Sequence, residues 1–103
     1  MATRGRIKGV RNKRTQFMLA KTQAASAAPV LAAVENGRLT LRDSSDLIGA
    51  SLNIMAECMG VFIDYARSLP KDKPEKTAER LEAYDHALHA AAMVAIAIRS
   101  SRR

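Results

Sequence analysis

Tryptophan is absent from this 103-residue chain, and the other aromatics amount to two phenylalanines and two tyrosines. A β-sandwich fills its core with Val, Tyr and Phe, so scarce aromatics beside abundant alanine favour helices packed through small side chains. Cys58 is the single cysteine. It cannot form an internal disulfide, it rules out a Cys-based metal site, and it suits a reducing, cytoplasmic setting. No acid precedes Glu35. Long apolar runs are also missing. The longest, Ala90–Ile98, is far short of the roughly 18 residues a spanning helix needs, so no membrane span is expected. Lys21 and Gln23 break any secretory h-region after Phe17-Met18-Leu19. There is no Gly-rich phosphate loop, no nucleophile elbow and no Cys–His pair, so neither an enzyme nor a cofactor is expected.

What is present suffices for one small domain. Hydrophobic residues make up 48% of the chain, too many for disorder throughout, and the length fits a single modest core. The net charge of +7 is unevenly placed. Residues 1–34 carry +7, residues 35–98 carry −3, and Arg99, Arg102 and Arg103 add +3. A mildly acidic middle between basic ends points to an anionic partner.

The chain opens with TRGRIKGVRNKR, residues 3–14, which holds Arg4, Arg6, Lys8, Arg11, Lys13 and Arg14. Gly5, Gly9 and Asn12 and the lack of a hydrophobic period make residues 1–14 an extended or disordered arm, with one helical domain over 15–103. From Thr15 to Val34, Phe17, Ala20, Ala24, Ala27 or Ala28, Leu31 and Val34 recur at steps of three and four, the stripe of an amphipathic helix. Pro29 should kink or split it, and Asn36-Gly37 should end it. Arg38–Arg42 alternates like a short strand, but Thr40 followed by Asp43 fits a helix cap, the preferred reading. A second helix, about 44–69, has Ile48, Leu52, Met55, Met59, Phe62, Ala66 and Leu69 as its stripe and stops at Pro70. Asp72 is expected to cap a third, about 74–100.

Two long helices joined by a tight turn form an antiparallel hairpin. In it Met59 should lie near Tyr84, Met55 near Leu88 and Ile48 near Ala95. Within Ala87–Ile98 the only polar side chain is His89. A helix apolar nearly all round needs cover on several sides, so the expected architecture is all-α, an antiparallel hairpin plus a Pro-kinked N-terminal helix, assembled as a helical homodimer. Gly49, Ala56 and Gly60 offer a close-approach surface, and Met93 and Ile96 offer apolar contact to a partner.

The basic arm is the strongest functional signal. Bases every two or three residues on a glycine-loosened backbone can follow a phosphate backbone. The Arg4-Gly5-Arg6 core is similar to that of the AT-hook, with Ile7 where a proline usually follows. No aromatic interleaves the arm, so base stacking is not expected. The expected function is phosphate contact on DNA or RNA by Arg4, Arg6, Lys8, Arg11, Lys13 and Arg14, joined by Arg102 and Arg103, in a phage- or plasmid-type accessory or regulatory protein. The alternative is an assembly subunit of a virion- or secretion-type complex whose basic ends dock on acidic proteins. A mitochondrial presequence shares the acid-free, Arg-rich composition and ranks below both. Glu82, Asp85, His86 and His89 resemble a two-His, two-carboxylate metal set, but their spacing equally makes ordinary surface ion pairs, and no metal is expected.

Overall fold

The computed structural model describes residues 12–102, and these fold as three α-helices with no strand among them: α1 Lys13–Glu35, α2 Leu41–Ser68 and α3 Thr77–Ser101. A single 3₁₀ turn, Pro74–Lys76, leads into α3. The all-α expectation holds. Every pair of helices is in contact, with α2 packing extensively on both others. α1 and α3 each run antiparallel to α2 and therefore parallel to one another.

Local chemistry sets most of the boundaries. The Asn12 side chain accepts a hydrogen bond from the Thr15 amide at 2.8 Å and caps α1, which starts two residues earlier than its hydrophobic pattern. Lys13 and Arg14 thus belong to the helix and not to the arm. α1 then continues through Pro29 to Glu35 without being split. It ends as Asn36-Gly37 foretold: Gly37 takes φ +84°, Arg38 N–H donates to Ala33 O at 2.8 Å and Gly37 N–H to Val34 O at 3.2 Å. This is a Schellman closure, which satisfies two carbonyls otherwise orphaned.

Residues 38–42 form a cap and not a strand. Thr40 Oγ1 accepts from the Asp43 amide at 3.3 Å and donates to the Asp43 carboxylate at 3.2 Å. One capped turn follows before Ser44 (φ −140°, ψ 36°) breaks the helical path, and the long regular part of α2 begins there. Thr40→Ala should cost about 1 kcal/mol, measured by denaturant unfolding. At the other connection Asp72 does not cap. Neither the 3₁₀ turn nor α3 has a side-chain cap, and the bend is tied instead by Arg80 Nη1 donating to Pro70 O at 3.0 Å.

The core is contiguous and unusually fine-grained. Phe17, Ala20, Ala27, Leu31 and Val34 come from α1 and Ile48, Ser51, Met55, Cys58, Phe62, Tyr65 and Ala66 from α2. From α3 the fully buried residues are Ala83, Ala87, Ala90 and Ala97. The expected pairs Met59–Tyr84, Met55–Leu88 and Ile48–Ala95 are not the packing that forms. Leu88 is 70% exposed, Tyr84 38% exposed, and Ala95 is also exposed. α3 has turned its alanines inward. The large side chains of α2 already fill the shared volume, so the neighbouring helix can approach only along small residues.

α1 and α2 are each long and apolar enough to cross a membrane by length and composition. The expectation of no span was drawn from unbroken apolar runs and overlooked these helices, whose few charges are spread along them. Both helices contribute to the core described above.

Candidate nucleic-acid interface

The bases are gathered at the two ends of the helical bundle. At one end α1 begins, α2 ends and α3 begins, and here residues 1–11 join the fold. Lys13 Nζ pairs with the Asp64 carboxylate across the helix interface. Arg14 Nη1 donates to Glu79 Oε2 at 2.9 Å and to the Tyr65 hydroxyl at 3.2 Å. The Tyr65 hydroxyl in turn donates to Glu79 Oε2, and Lys76 Nζ lies 3.5 Å from Glu79 Oε1. Two of the expected phosphate ligands are therefore committed to stapling α1 onto α2 and α3. Their acidic partners sit 51 and 65 residues away, beyond the reach of local sequence pattern.

This network has an electrostatic signature. The Tyr65 hydrogen bond, helped by the Lys76 and Arg14 charges, holds the Glu79 carboxyl below the usual carboxylate range against the opposing effect of burial. Burial, reinforced by the adjoining carboxylate, pushes the Tyr65 phenol up. Because the Glu79 pKa is lower folded than unfolded, its stabilisation is complete above the unfolded value of about 4.3 and is lost as pH falls through the folded value. Glu79→Gln should accordingly be less stable than wild type near neutrality and converge on it below about pH 4, as followed by denaturant midpoints across a pH series.

Behind the network lies an aromatic cluster. Phe17 stacks on Tyr65 with centroids 4.5 Å apart and meets Phe62 edge-on at 5.7 Å. The His86 ring packs against both phenylalanines, at 5.7 and 5.3 Å, and Lys21 Nζ stands 5.3 Å over the Phe17 ring. Beside it is an open cavity of about 200 Å³ floored by Met55 and Phe62 and rimmed by Lys21, His86, His89 and Met93.

His86 is thus an aromatic packing partner whose Nε2 lies 3.7 Å from Glu82 Oε2. The same Glu82 oxygen takes Lys21 at 3.8 Å. Asp85 and His89 are exposed. Among the described residues no group of three or more His, Cys, Asp or Glu side chains is arranged to hold a metal. Cys58 is buried, and burial pushes its thiol pKa up, which makes it a small hydrophobe and a poor nucleophile.

Arg102 closes the far end of α3, opposite the end at which α1 begins. Ser100 and Ser101 line a second cavity there, of about 270 Å³, with Val34, Gly37, Leu39 and Leu41. Arg38 and Arg42 flank that same connection. Sequence reading missed them as companions of Arg102 because they stand 64 and 60 positions before it in the chain and only the fold joins them. Arg4, Arg6, Lys8, Arg11 and Arg103 lie outside the described residues.

The expected partner-contact positions are split. Gly49, Met93 and Ile96 are half-buried, whereas Ala56 and Gly60 are exposed. A methyl group added at Gly49 or Gly60 would meet nothing within 4 Å, so neither glycine serves a close approach inside the chain. Comparison with protein-family models, characterised proteins and solved structures finds no match to this chain.

Proposed function

We propose that this protein is a small non-enzymatic nucleic-acid-binding factor of the cytoplasm, in which the N-terminal segment contacts phosphates and the helices present it. The observation that carries the reading is the partition of charge. Residues 1–11 hold four bases and no acid, while residues 12–102 together carry only +2. A segment so charged and so free of aromatics binds phosphates without reading bases. With Lys13 and Arg14 paired on the surface of the helices, the working charges of the segment are Arg4, Arg6, Lys8 and Arg11. Retardation of a random-sequence duplex at low salt, reversed by added salt, tests the reading, and no retardation would remove it.

A second reading is favoured by a separate observation, the apolar side chains exposed along α3. An assembly subunit would bury them against other proteins and dock its basic ends on acidic ones. Such a subunit leaves the duplex unretarded.

A further inference from the structure

α3 carries two apolar seams of the same period. The inner one, Ala83, Ala87, Ala90, Val94 and Ala97, faces α2 and the core and is made almost wholly of alanine. An outer one, Leu81, Tyr84, Leu88, Ala91, Ala95 and Ile98, advances in steps of three and four, the spacing of a coiled-coil seam. Leu81, Leu88 and Ile98 on it are 62%, 70% and 42% exposed. The helix therefore buries alanines while Leu81 and Leu88, among its largest apolar side chains, stand mostly in water, an arrangement that leaves apolar surface for a partner.

We propose that a second copy of this chain docks on the outer seam with the two α3 helices antiparallel. Size complementarity selects the partner and the direction. Antiparallel pairing about the seam centre sets Leu81 opposite Ile98, Tyr84 opposite Ala95 and Leu88 opposite Ala91, so large side chains meet small ones in the inner layers. Parallel pairing sets Leu88 on Leu88 and Ala91 on Ala91, layers alternately overfilled and empty. Charge selects the same direction. The first half of α3 carries Glu79, Glu82 and Asp85 against Arg80, a net of −2, with Glu79 and Glu82 already paired within the chain, and Arg99 lies in its last turn with Arg102 just beyond it. Antiparallel helices bring these halves together and oppose their dipoles.

The dimer stands or falls without reference to nucleic acid. Where the nucleic-acid reading also holds, the partner's Arg38, Arg42, Arg99 and Arg102 come beside the end that bears the arm.

Light scattering on the full chain without nucleic acid should give about twice the 11.2 kDa chain mass. Leu88→Glu should give the monomer with helical circular dichroism retained, because an exposed side chain leaves the core untouched. In a Cys58→Ala background, Tyr84→Cys protein mixed with Ala95→Cys protein should form a disulfide-linked pair on oxidation, and neither should link to itself. A wild-type monomer, a dimer that survives Leu88→Glu, self-linking of either single variant, or a monomer that sediments with anionic vesicles through Leu88 would each overturn the proposal. A dimer that fails to retard duplex would leave it standing and remove the nucleic-acid reading alone.

Discussion

Phe62→Ala should be the most damaging truncation in this chain, costing about 3–5 kcal/mol and lowering Tm by on the order of 20 °C. Phe62 is 1% exposed and touches the rings of both Phe17 and His86. Removing it opens a void where all three helices meet. The alanines around it on α3 have no volume with which to collapse into that void, and the alternative neighbours already hold Phe17 in place. Against a total stability of about 5–15 kcal/mol, such a loss consumes much of the margin. Leu88→Ala removes a side chain of comparable size yet, at concentrations low enough to keep the chains monomeric, should leave unfolding nearly unchanged, since 70% of Leu88 faces solvent in the single chain. Thermal and denaturant unfolding of the two variants side by side tests the contrast. Equal losses would mean that α3 does not present its alanine seam to the core.

Deleting residues 1–11 should abolish most nucleic-acid affinity while the helices still fold. Four phosphate contacts per arm give a slope of log K against log salt near −3.6. That corresponds to about a 100-fold loss of affinity between 50 and 200 mM salt. Six contacts, the number suggested by counting every base through Arg14, would give about −5.4. On the proposed reading the smaller figure is expected, because Lys13 and Arg14 are paired with Asp64, Glu79 and Tyr65. Replacing Lys13 and Arg14 together with alanine should therefore lower the denaturation midpoint and change the slope by less than one. The opposite pattern, a large change in slope with stability intact, would place both residues on the nucleic acid. Fluorescence anisotropy with a random duplex across a salt series measures all three proteins.

How much of this could be read from residues alone is clearest in α1 and α3. Phe17, Ala20, Ala27, Leu31 and Val34, the buried face of α1, all lie on the stripe that spacing alone picks out. The Thr40–Asp43 cap and the Gly37 closure are equally local, since each joins residues no more than five apart and depends on side-chain chemistry at fixed offsets. α3 was not decidable in this way. Its inner and outer seams share one period, and periodicity cannot rank two stripes of equal spacing. The choice rests on volume, which α2 sets from the other side of the interface. The partners of Lys13 and Arg14 were hidden for a related reason: their acids become neighbours only when α1 lies antiparallel to α2.

By itself, then, the sequence determined an all-helical class for the described residues, the C-terminal end of α1, the cap that opens α2 and a basic segment set apart from a nearly neutral remainder. These depend on contacts along the chain or on sums of charge, neither of which needs a third dimension. Tertiary structure alone decided which side of α3 faces inward, that Lys13 and Arg14 have acidic partners on other helices, and that the start of α1 and the end of α3 stand at opposite ends of the bundle. Each of these is a relation between residues far apart in the chain, fixed by how volumes and charges meet once the helices are packed.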